Sequence, residues 1–160
     1  MKKKPMPKQP EQIELLDLAK IDLTQPLPYA DGSVKEILCA HKFEYIPGKQ
    51  RVAFMEEAYR VLEVGGKMTV IACYWTSPRA VQDPALEWPP ICEQSFLYFN
   101  KGWREANKLP PIKVDMDFSY GYAADQETAG RNQETQAFWI KHYLNTVLDV
   151  QVVLVKRAMS

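Results

Sequence analysis

The chain has 160 residues, 46% hydrophobic and 25% charged, a composition that suits one globular core burying about two-thirds of its unfolded surface. Its 20 basic and 20 acidic residues cancel, so no global field draws it to nucleic acid or an anionic membrane. No run reaches the roughly 20 apolar residues that span a bilayer, so no membrane partner is expected either. Lys2, Lys3, Lys4 and Lys8 stand in a Pro- and Gln-rich opening without the apolar stretch of an export signal. Residues 1–12 are therefore expected to be a mobile basic arm, residues 13–160 a single α/β domain, and the location cytoplasmic. Three cysteines, Cys39, Cys73 and Cys92, lack metal-ligand spacing and sit among apolar neighbours, as buried free thiols do. With His41 and His142 the only histidines, the spacing along the chain gives no metal site.

In chain order, the run from Ile13 to Leu23 is β-like, the segment Thr24–Ser33 is rich in turn formers, and Val34–Ala40 reads as a strand. Val52, Met55, Ala58 or Tyr59, and Leu62 recur at helical spacing, which predicts an amphipathic helix over Lys49–Leu62 that Gly65 and Gly66 stop. Lys67–Trp75 is a nearly continuous apolar run of the kind buried in a parallel sheet, completing a βαβ unit. Loops in such sheets gather their ligands at the carboxyl ends of the strands, here near His41 and Tyr74–Arg79. Cys92, Phe96, Phe99 and Trp103 predict a second helix, and Lys113–Tyr122 alternates like a strand. A helix over Gln133–Tyr143 and a closing strand from Val147 complete the pattern.

Two stretches, Asp22–Ile46 and Phe54–Trp75, contain an acidic residue ahead of Leu27-Pro28-Tyr29, then a strand, then a helix ending in Arg60-Val61-Leu62-Glu63-Val64-Gly65-Gly66. This order resembles the second half of a class I S-adenosylmethionine-dependent methyltransferase domain, of the small bacterial and phage type. The resemblance implies a truncated Rossmann-like core, a mostly parallel sheet with an antiparallel C-terminal strand. It also marks departures. The family's glycine-rich loop, where a side chain would block the backbone's approach to the cofactor, has no counterpart, since only Gly32 and Gly48 precede residue 60. Lys35 stands where the family has an acidic residue, Tyr45 where it has a common histidine, and Leu86 replaces a histidine in the turn after Asp83.

What the resemblance implies for sites follows residue by residue. Asp22, with Leu23, matches the position that accepts from the adenine amino group of S-adenosylmethionine. His41 and Glu44 follow the strand that carries cofactor-edge and catalytic residues, and a histidine there can act as a general base. Tyr74, Trp75, Arg79, Asp83 and Trp88 lie where the family forms its acceptor pocket, a place a packed lid or partner surface would equally fill. Two functions are expected: a methyltransferase weak or inactive alone, or a non-catalytic binding or regulatory module. Because Val34–Cys39 would lie at the sheet edge, either the segment Ile13–Leu23 caps it or it pairs with a second copy, so a homo-oligomer or another protein partner is expected.

Overall fold

The computed structural model describes residues 12–159. Strand β1 (Ile13–Asp17) leads through a loop into β2 (Val34–Ala40), followed by helix α1 (Gly48–Val61) and β3 (Leu62–Cys73). After a long irregular stretch come α2 (Lys101–Ala106), β4 (Met116–Ala124), α3 (Gln126–Ala129), α4 (Gln133–His142) and β5 (Val147–Lys156). The five strands form one sheet in the order β1-β2-β3-β5-β4. β1, β2 and β3 are parallel, and β5 runs antiparallel to both β3 and β4. This is the mostly parallel α/β sheet with an antiparallel C-terminal strand that the sequence implies.

The edge of β2 is covered from within the chain, because Ile13–Asp17 pairs with it in the register Ile13↔Val34 to Asp17↔Leu38. β1 then becomes the outer strand, with Leu15 56% exposed. One face of the sheet holds the core. Val34, Ile37 and Cys39 of β2, Met68, Val70 and Ala72 of β3, and Val150, Val152 and Leu154 of β5 are buried against Phe54, Met55, Ala58 and Val61 of α1 and against Phe43, Phe96 and Phe99. β3 is not buried on both faces as its apolar run suggests. Its alternate residues Thr69, Ile71 and Cys73 are only half-buried, the burial pattern of a sheet packed mainly on one side.

Two local expectations are corrected. α1 ends at Val61, before the glycines, and Leu62 is already extended while its N–H still bonds Ala58 O. Gly65 and Gly66 lie inside β3, where the β2 ladder jumps from Val34↔Leu62 to Glu36↔Lys67. Gly65 takes φ +81°, and a Cβ on Gly66 would stand 2.9 Å from the carbonyl oxygens of both Glu63 and Lys35. The pair makes a bulge rather than a helix stop. The second helix is likewise divided: Glu93–Phe99 is a 3-10 turn, and Asn100, extended, caps α2 by accepting from Trp103 N–H.

Candidate functional site

The carboxyl ends of β2 and β3 meet the start of β5 at one point. His41 directly follows β2, its N–H bonded to Ile71 O at 2.8 Å. Its φ of +49° is a left-handed conformation costing about 1 kcal/mol or more outside glycine, a cost that often marks functional positions. Cys73 ends β3 and stands opposite Asp149 in the antiparallel register. Glu44, in the 3-10 turn Phe43–Tyr45, is 5% exposed and folds back on both neighbours. Its Oε1 lies 3.3 Å from His41 Nδ1 and accepts from Cys73 N–H at 3.3 Å. Cys73 Sγ is 4.0 Å from His41 Nδ1. Arg79 closes the group by donating to Asp149 Oδ2 at 2.8 Å.

Glu44 and Asp149 make the local field negative, and Arg79 partly offsets it. Burial pushes the Cys73 thiol up to about 11, and Glu44 adds to the shift while Arg79 opposes it. Burial, then Glu44, likewise holds Cys39 up at about 12. Glu44 Oε2 and Asp149 Oδ1 are buried without a hydrogen-bond partner, and so is Glu93 Oε2 nearby in sequence to the aromatic wall. Buried carboxylate oxygens are seldom left unpaired in a purely structural role, because desolvation is then uncompensated.

The sequence-expected residues divide. His41 and Glu44 are brought together. Tyr74 and Trp75 line an open cavity of about 470 Å³ with Glu93, Tyr122, His142 and Tyr143. Tyr74 and Tyr122 meet edge to face at 5.3 Å, and burial holds both phenols above their ordinary value. Arg79 is turned instead toward Asp149. Asp83 accepts from Tyr45 Oη at 2.9 Å, and Trp88 is 80% exposed; neither lines that cavity. Asp22 Oδ1 accepts from both the N–H and the hydroxyl of Thr24, which hold its carboxyl below the ordinary value, so it closes its own turn. Leu23 beside it is buried. Sequence reasoning passed over Cys73 and Asp149 as site residues. The available signal was Asp149 itself, the one acid in the apolar run Val147–Val155.

The fit to S-adenosylmethionine is tested at the turn after β1, the strand lying beside β2 where the resemblance places the glycine-rich loop. That turn is Leu18-Ala19-Lys20, capped by Asp17 accepting from Ala19 N–H, with the Leu18 side chain fully buried. That turn contains no glycine, so the described residues do not form that cradle by themselves.

Residues 2–70 match a methyltransferase domain family. No curated protein matches the chain. Among solved structures, the chain is similar to an S-adenosylmethionine-dependent methyltransferase from Archaeoglobus fulgidus, at 12% identity and TM-score 0.53, covering 86% of this chain and 66% of that one. It is also similar to a chain in the complex of the Haloferax volcanii Trm112 methyltransferase activator with a methyltransferase, at 16% identity and TM-score 0.53, covering 87% and 60%. A third, the cyclase SpnF, shows 13% identity and TM-score 0.50, covering 87% and 56%. The chain thus spans less than two thirds of each of these proteins. Residues 2–70, less than half of the chain, thus resemble a methyltransferase domain, and the sheet as a whole shares the fold of these structures.

Proposed function

We propose that this is a methyltransferase-like protein that, as this chain alone, is weak or inactive in methyl transfer from S-adenosylmethionine. The observation that carries the reading is the turn after β1, Leu18-Ala19-Lys20, which has no glycine and whose Leu18 side chain is buried in the core. Asp22, expected to hold the adenine, is engaged by Thr24, which supports the same reading. The fold by itself does not fix the chemistry, since similar structures include a cyclase as well as methyltransferases.

Such a protein works through a partner. The exposed aromatics Trp75, Trp88, Phe138 and Tyr143 support a binding or regulatory module, with a protein partner or a second copy on the β1 edge. The Haloferax neighbour, found with an activator, supports a variant in which a partner completes the cofactor site and His41 with Glu44 faces it. Calorimetry of the full chain with S-adenosylmethionine and S-adenosylhomocysteine tests the proposal. No saturable heat is expected; micromolar binding that Asp22→Ala weakens would overturn it.

A further inference from the structure

Three adjacent strands deliver three different ligand chemistries to one point: an imidazole after β2, a thiol at the end of β3 and a carboxylate near the start of β5. One donor atom from each of His41, Cys73 and Asp149 lies within 4.8 Å of the other two. We propose that these three residues bind a divalent transition-metal ion, zinc foremost, at the corner where Glu44 Oε1 also stands 3.3 Å from His41 Nδ1. The inference stands apart from the reading of cofactor binding above and depends on neither outcome of that test.

The donor set selects the metal. Magnesium and calcium take oxygen ligands, whereas one sulfur, one nitrogen and one oxygen suit borderline-soft zinc. Zinc sits about 2.0–2.3 Å from such donors, which places tetrahedral neighbours roughly 3.5 Å apart. The Sγ to Nδ1 separation of 4.0 Å is close to this, and the remaining closure is a side-chain adjustment. Three protein ligands leave a fourth position open, the arrangement of zinc sites that hold water or a substrate atom. The half-exposed His41 provides a way in.

The carboxylates give independent support. Glu44 is 5% exposed yet leaves Oε2 unpaired, and Asp149 leaves Oδ1 unpaired while Oδ2 is held by Arg79. Arg79 pairs only with Asp149, through Oδ2, and a bound dication supplies positive charge to the unpaired Oδ1. Asp149 Oδ1 is the free oxygen for the ion, so the Arg79 pair survives binding. On coordination the Cys73 thiol is deprotonated; its S–H bond breaks, the electron pair forms the metal–sulfur bond and the proton passes to solvent.

The test uses the full chain without an affinity tag, stripped with chelator and titrated with zinc, and in parallel with cobalt(II) as a spectroscopic probe. Stoichiometric uptake, proton release and a thiolate-to-cobalt charge-transfer band are expected. Cys73→Ser should abolish the band, and Asp149→Asn should weaken zinc binding at least about tenfold. Cys92→Ser should change nothing. Should Cys73→Ser fail to fold by circular dichroism, Asp149→Asn decides. No uptake by the wild type, a band that survives Cys73→Ser or is lost in Cys92→Ser, or unchanged affinity in Asp149→Asn would overturn the proposal.

Discussion

The chain contains two polar corners that contrast. At one, Arg60 in the last turn of α1 donates to both oxygens of Glu57, to Asp31 and to the carbonyls of Leu27 and Tyr29. Glu57 in turn accepts from Leu27 N–H. At the other, around His41, Cys73 and Asp149, buried carboxylate oxygens lack partners. The first corner joins two segments of the family pattern, the helix end Arg60-Val61-Leu62 and the loop Leu27-Pro28-Tyr29, and holds them in place. The residues that make the family recognisable are thus those that fix the frame. The second corner joins His41 and Glu44, which the resemblance marks, to Cys73 and Asp149, which it does not, and its unmet hydrogen bonds are what a ligand would satisfy.

The sharpest way to test the contrast is to remove a saturated arginine. Arg51 is 7% exposed, donates to the carbonyls of Ile46, Glu87 and Pro89, and lies over the Phe43 ring. Arg51→Ala strands buried carbonyls and should lower stability in urea by about 3 kcal/mol or more. Arg51→Lys should restore only part, because a single ammonium cannot span that fork. Gly66→Ala comes next. Its Cβ would press on two backbone oxygens that cannot swing aside, so a loss of about 1–3 kcal/mol is expected, with Glu36↔Lys67 exchanging amide protons faster.

The Glu57–Arg60 pair is partly exposed and should contribute about 1 kcal/mol or less, but with a defined pH dependence. The Arg60 hydrogen bond holds the Glu57 carboxyl below its ordinary value of 4.5, against the opposing effect of burial. The native state therefore favours the ionised form, and the contribution is full above pH 4.5 and fades as pH falls through the lower folded value. Urea melts of wild type and Glu57→Gln should differ at pH 7 and converge at low pH. A gap that widened in acid would contradict the assigned pairing.

Periodicity exposed the frame more readily than the site. α1 spans Gly48–Val61 against the expected Lys49–Leu62, and β2 and β5 fall where their apolar patterns put them, because each buries one face on a shared core; α4 also forms where expected, although none of its residues is buried. The Gly65-Gly66 bulge was not legible: a glycine pair after a helical pattern reads as a stop, and only the register against β2 shows the close approach to Lys35 O. Asn100 was hidden for a similar reason, since Phe96, Phe99 and Trp103 keep helical spacing across its cap. His41, Cys73 and Asp149 are distant in sequence, and strand order alone makes them neighbours. Spacing rules for metal sites look within one element and miss ligands shared among three.

The smallest effect carries the contrast furthest. Asp149→Asn exchanges a half-paired carboxylate for a neutral group of the same shape. The Arg79 pair it loses is worth little, because the guanidinium side chain is 39% exposed, while an unpartnered buried oxygen loses its charge. These changes oppose each other, so stability without added metal should stay within about 0.5 kcal/mol of wild type, as at sites free of a structural role. A saturated structural group could not be altered so cheaply. A loss as large as that of Arg51→Ala would mean that Asp149 holds the fold, and the two corners would then be alike.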